Sequence, residues 1–156
     1  MSDVTAEEYL KQYAMMRAEV EQKERLIRTM GREIFGGPSD RITSVMTGGI
    51  GRSSQGNYWD PKSLQKFKDE LDKQENRVRD MRNFMLRIIN QIDGLDDGKD
   101  RALLNGYYVQ GMTWGELARQ LNYADVYVRG YLKAVALNHF DKKYHEFLVH
   151  YQHLTK

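Results

Sequence analysis

Apolar side chains recur from Ala6 in alternating steps of three and four, at Tyr9, Tyr13, Met16, Val20, Ile27, Met30 and Ile34. Lys23 takes the one seam position that the series leaves open. This is the heptad pattern of a helix with a coiled-coil seam. Thr5 and Glu8, in T-x-x-E order, predict a capping box at its start. A second series runs through Leu64, Phe67, Leu71, Val78, Met81, Met85, Ile88, Ile92 and Leu95, with Gln74 as its polar member. Asp60-Pro61 predicts its N-cap and first turn. Gly94, followed by Asp96, Asp97 and Gly98, predicts its end. Folding the two helices into an antiparallel hairpin brings Lys23 and Gln74 to the same height, where a polar pair would fix register. Parallel pairing between two chains is the alternative.

The pattern changes after residue 98. Residues 99–138 read as a short apolar helix, a glycine break, a capped helix, a tight turn and a second amphipathic helix, which is the order of a helix-turn-helix. The first helix offers Ala102, Leu103, Tyr107 and Tyr108 as core and ends at Gly111. Thr113 and Glu116 repeat the capping-box spacing. Trp114, Leu117, Ala118 and Leu121 form the buried face of the next helix, and the small Ala118 lets the following one come close. Asn122 suits a left-handed turn. Tyr123 is expected to plug the core, and Asp125 stands where it caps the last helix. Val128, Tyr131, Leu132 and Val135 are expected to face inward. Residues 139–156 read as a terminal amphipathic helix. Its face of Phe140, Tyr144, Phe147, Leu148 and Tyr151 would cover either the helix-turn-helix or a dimer interface.

The predicted fold is therefore all-α: a long antiparallel hairpin over 1–98, a helix-turn-helix over 99–138 and a C-terminal helix over 139–156. The glycine-rich stretch at 36–57 reads as a loop inside the hairpin. It carries six glycines, and loops of this length are functional or serve as linkers. Arg41 and Arg52 would be its contacts to a phosphate backbone. GGIGRSS lacks the Gly-Lys-Ser/Thr of a P-loop and does not join a strand to a helix, so nucleotide binding is not expected.

The residues Tyr108 to Gly111, Thr113-Trp114, Glu116-Leu117-Ala118, Leu121-Asn122-Tyr123 and Val128 resemble the helix-turn-helix of sigma-70 region 4. The order of parts resembles small proteins of Gram-positive phages and prophages, in which a coiled-coil pair and a polar loop precede such a module. That resemblance implies a DNA-binding transcriptional regulator of the phage late-gene type. By position it places Asp125, Val126, Tyr127, Arg129, Gly130 and Lys133 in the groove, and Thr113, Trp114 and Arg119 near phosphates. Ala124-Asp125-Val126-Tyr127 departs from the pattern, which has a hydroxyl cap followed by cations. Asp125 repels phosphate, and Arg129 and Lys133 are the only cations on that helix. Gly130 costs on the order of 1 kcal/mol in mid-helix; close approach of a DNA or protein backbone would explain it. The alternative is a phage interaction protein, an inhibitor or anti-repressor of a host protein, that reuses the fold as a protein-binding surface.

Composition adds constraints. The net charge is only +2, with 24 Lys+Arg against 22 Asp+Glu, which permits nucleic acid without pointing to it. Residues 99–156 carry eight basic and five acidic side chains. There are no cysteines and two prolines, which excludes disulfides and thiolate metal sites and favours long helices. No apolar run reaches the roughly 18 residues of a membrane span, and the N-terminus lacks a signal-peptide pattern. A bacterial host cytoplasm is the expected compartment. The histidines His139, His145, His150 and His153 have no ligand partners at metal spacing, so packing or surface roles are expected. Asp69 and Lys73 are spaced for an ion pair on a solvated face. No catalytic constellation can be assembled. The expected protein is not an enzyme, has no cofactor, and meets double-stranded DNA as a homodimer, with RNA polymerase or another host protein as a further partner.

Overall fold

The computed structural model describes residues 4–35 and 60–154. It is all-α, with no strand among the described residues. Helix α1 is Ala6–Phe35 and α2 is Pro61–Asp93. Helix α3, Gly98–Leu104, runs on through a π-helical turn at Asn105–Val109. Helix α4 is Trp114–Leu121. Helix α5 opens at Asp125–Tyr127, passes through a second π turn at Val128–Leu132 and closes at Lys133–Lys143; α6 is His145–Leu154. Arg41 and Arg52 lie outside the described residues, as does the expected loop at 36–57.

The helix starts follow from their sequences. Thr5 N donates to Glu8 Oε2 at 3.0 Å, and Glu8 N donates to Thr5 Oγ1 at 3.1 Å, a complete capping box. Asp60 Oδ1 accepts from the backbone of Lys62 and Ser63, leaving Pro61 where its missing N–H costs nothing. Asp97 accepts from Lys99 N to cap α3.

The chain divides into two compact units, residues 19–82 and residues 1–18 with 83–156. The boundary thus cuts through both long helices: 4–18 and 83–98, grouped by sequence with the hairpin, pack with the C-terminal helices.

In the 19–82 unit, Val20 and Met30 of α1 and Leu71 and Val78 of α2 are buried, all seam residues. Lys23 Nζ donates to the buried Gln74 Oε1 at 2.9 Å, the polar pair expected from the two breaks in the heptad series. Gln74 Nε2 in turn donates to Glu70 Oε1 at 2.8 Å, and Arg82 pairs with Glu24 beside the seam. Asp69 accepts from Gln65, not from Lys73, so the expected Asp69–Lys73 pair is replaced by an i,i+4 bond in the other direction.

The other unit has a core of large side chains. Tyr9 is fully buried and meets four rings: Phe84 of α2, Phe140 of α5, and Phe147 and Tyr151 of α6, with centroids 5.2–6.1 Å away. Its hydroxyl donates to Gln91 Oε1 at 2.6 Å. Burial raises its pKa well above the ordinary tyrosine value. The apolar face of α6 is thus covered within the chain, on α1 and α2. The expected single C-terminal helix is broken: residues 139–143 continue α5, and the backbone turns at Tyr144. The Tyr144 hydroxyl donates to Gln91 O at 2.6 Å, and a Cβ on Gly94 would stand 2.5 Å from that hydroxyl. The ring at the break is thus anchored to the end of α2.

Candidate nucleic-acid interface

Helices α3, α4 and α5 are joined by two left-handed residues, Gly111 at φ 73° and Asn122 at φ 67°. Thr113 Oγ1 accepts from Glu116 N at 3.1 Å to start α4. Tyr123 N donates to Ala118 O at 2.9 Å across the Asn122 turn, closing the helix end. Leu117, Ala118, Val128 and Leu132 are buried together, and α3 packs along the Lys133–Lys143 part of α5. Gly106, which the apolar pattern does not single out, is the close approach between α3 and α4. A Cβ there would meet Leu117 Cδ2 at 2.5 Å and Met112 Sδ at 3.3 Å.

The π turn in α5 resets which residues face inward. Lys133 N donates to Val128 O, adding a residue to that turn. The buried series becomes Val128, Leu132, Ala136 and Phe140, in steps of four. Tyr131, expected inside, is 57% exposed; Val135 is half-buried. Tyr123, expected as a core plug, is 39% exposed. Ala124, extended at φ −69° and ψ 141°, holds the cap position without a side-chain bond, so Asp125 is the first helical residue and not the cap.

The result is an outward stripe of rings. Tyr123, Tyr127 and Tyr131 follow at i, i+4 and i+8. Tyr123 and Tyr127 have centroids 5.5 Å apart, and Tyr127 and Tyr131 are stacked at 5.2 Å. Lys99 Nζ lies 6.0 Å over the Tyr123 ring. Beside the stripe Val126 is 73% exposed. Asp125, Arg129 and Gly130 are also exposed, and a Cβ on Gly130 would meet nothing within 4 Å. Packing among the described residues therefore gives no reason for that glycine. Thr113 and Arg119 of α4 are exposed too. Arg119 and Arg129 have no ion-pair partner among the described residues.

Two candidate residues are engaged inside the protein. Lys133 Nζ is 3.0 Å from Glu7 Oε1 of α1 and 5.6 Å from the Trp114 ring centroid. Trp114 is half-buried and stacked on Tyr107 at 3.9 Å. The lysine holds the Glu7 carboxyl below its usual pKa, chiefly through their hydrogen bond, with burial opposing the shift. Next to them the Tyr108 hydroxyl is buried without a hydrogen-bond partner among the described residues; burial, with Glu7 nearby, pushes its pKa up. Glu7 is legible in the sequence only as a capped-helix residue. Nothing in its local pattern pairs it with a lysine 126 positions later.

His139 Nδ1 lies 2.5 Å from Oδ2 of the buried Asp100, tying the start of α3 to α5. No group of three or more metal-ligating side chains occurs among the described residues. No described helix is long and apolar enough to cross a membrane. The chain matches no protein-family model, no curated protein and no solved structure.

Proposed function

We propose that this chain is a DNA-binding transcriptional regulator of phage or prophage type. In this reading the front of α5 enters the major groove, and α4 meets the backbone. The observation that carries it is the outward set Val126, Tyr127, Arg129 and Gly130. It follows a left-handed turn after a short capped helix, and no side chain of it is engaged as an ion pair among the described residues. Thr113 and Arg119 are placed for phosphates. Arg129, exposed on the same face, is a cation that α5 offers to a phosphate or to a guanine edge. A single module with so few free cations binds weakly, so the functional form is a dimer on paired half-sites.

An electrophoretic shift on the DNA flanking the encoding gene tests this, from about 50 to 200 mM salt. Affinity falls with rising salt, and Arg119→Ala with Arg129→Ala lowers the log–log slope by about 0.9 for each phosphate no longer neutralised. Absence of a shift, or salt-independent binding, overturns the proposal.

A protein partner is the second reading, favoured by the tyrosine stripe and by the pairing of Lys133 with Glu7. Retention of one host protein by the wild-type chain in nuclease-treated lysate, abolished in Tyr127→Ala, supports it.

A further inference from the structure

We infer that the front of α5 reads thymine by its C5-methyl group, so that the ligand is A·T-rich duplex distinguished by methyls in the major groove. This rests on the proposed duplex binding and adds which base is read.

Residues 125–133 contain no Asn, Gln, Ser or Thr, so the bidentate reader of adenine is missing, and the hydroxyls of the segment are those of Tyr127 and Tyr131. Lys133 is paired with Glu7, and Arg129 has no ion-pair partner among the described residues. Asp125 can accept only from a base amino group, and its charge opposes the phosphates. Val126 is the most exposed apolar side chain of this segment, and thymine is the base that presents an apolar group in the major groove.

The rings argue against the other aromatic mode. Tyr127 is flanked by Tyr123 on one side and stacked on Tyr131 on the other. The Tyr131 ring stacks on one of its faces and the tilted Tyr123 ring crowds the other side, so it is not an isolated platform for an unstacked base. Edges and hydroxyls are what this stripe offers. Charge favours a polyanion as the occupant: Arg119 and Arg129 are exposed with no ion-pair partner among the described residues, and Lys99 lies over the Tyr123 ring at one end. Gly130, with open space where a Cβ would be, lets the helix approach closely.

The test uses the full chain and two duplexes of about 30 base pairs, one alternating A and T, the other alternating A and U, at fixed low salt. Uracil removes only the methyl and leaves the hydrogen-bonding edge intact. Anisotropy titrations should show the uracil duplex binding about four-fold more weakly for each methyl covered. Val126→Ala should shrink the thymine-to-uracil ratio, with its helical circular dichroism unchanged because the side chain is exposed. Equal affinity for both duplexes overturns the methyl inference while leaving duplex binding in place. A ratio unchanged in both Val126→Ala and Tyr127→Ala also overturns it, since the discriminating face is then elsewhere. Binding to neither duplex, nor to flanking DNA, overturns duplex binding and the inference together.

Discussion

The two compact units share the same pair of long helices but are held by different chemistry. Residues 19–82 are joined along a narrow seam, with Val20, Met30, Leu71 and Val78 buried and a Lys23–Gln74 bond among them. The other unit draws on every helix and surrounds one buried tyrosine with four rings. A two-helix seam has little interior per residue, so each contact is modest and replaceable. A shared aromatic centre concentrates the energy in few side chains.

The sharpest test of that difference is Tyr9→Ala. It removes the ring at the centre of the cluster and should cost about 3–5 kcal/mol. Val20→Ala in the other unit should cost about 1.5 kcal/mol, for two buried methyl-sized groups. Urea titrations measure both, and equal destabilisation would erase the contrast. Alkali attacks the same unit. Burial holds the Tyr9 and Tyr108 hydroxyls above their ordinary pKa. The raised folded-state values mean that their contribution is complete below about pH 10 and is lost as pH rises toward the folded pKa. Stability should therefore fall above about pH 10, and less steeply in Tyr9→Phe.

Much of the seam is legible in the sequence because both partners repeat with one period, and even the two breaks find each other. The caps at Thr5, Asp60 and Thr113 and the left-handed turn at Asn122 are equally local, so they can be read one helix at a time. The aromatic centre is not. Tyr9 looks like any seam residue, and its partners come from three helices more than 70 positions away. The candidate interface is legible in part. Val126, Tyr127, Arg129 and Gly130 are outward as expected, but the π turn displaces Tyr131 to the surface, and Glu7 takes Lys133. A helical period assumed constant cannot show the first, and a single helix cannot show the second.

Glycine substitutions probe the contrast at lower energy and with opposite signs. Gly106→Ala gains about 1 kcal/mol of helix propensity. It also forces a Cβ against the fully buried Leu117, at a typical overpacking cost of about 1–3 kcal/mol. A net destabilisation of roughly 1 kcal/mol is expected. Gly31→Ala lies in the 19–82 unit with nothing among the described residues within 4 Å of its Cβ, and should stabilise by about 1 kcal/mol. Thermal melts of the two variants should move in opposite directions. No larger is the effect of replacing both Lys23 and Gln74 by Leu. Removing both leaves no buried group unsatisfied, because Glu70, the other partner of Gln74, is exposed to water, so stability should hold or rise by no more than about 1 kcal/mol. The cost appears in specificity, because a lone polar pair fixes partner and register. Sedimentation should show new oligomers, and a unique monomer or dimer matching wild type would deny the pair that role.

Each unit holds a lysine against another helix, Lys23 on Gln74 and Lys133 on Glu7, and the second is where packing meets the proposed function. Both members of the Glu7–Lys133 pair are partly exposed, so Glu7→Gln should cost no more than about 1 kcal/mol of stability. Glu7 has a lowered pKa in the folded chain. The stabilisation is therefore present above the ordinary carboxylate range near pH 4.5 and lost as pH falls through the folded value. At neutral pH the substitution releases Lys133 beside the front of α5. Duplex affinity should rise a few-fold, and the salt slope should steepen by about 0.9, one more phosphate neutralised. Lys133→Ala should leave wild-type binding nearly unchanged, because that cation is already engaged, and should cancel the gain of Glu7→Gln in the double variant. A large drop in binding in Lys133→Ala alone would mean that the lysine leaves Glu7 for the phosphate whenever DNA is present, and that the pair is a store of charge for binding, not a brace of the aromatic unit.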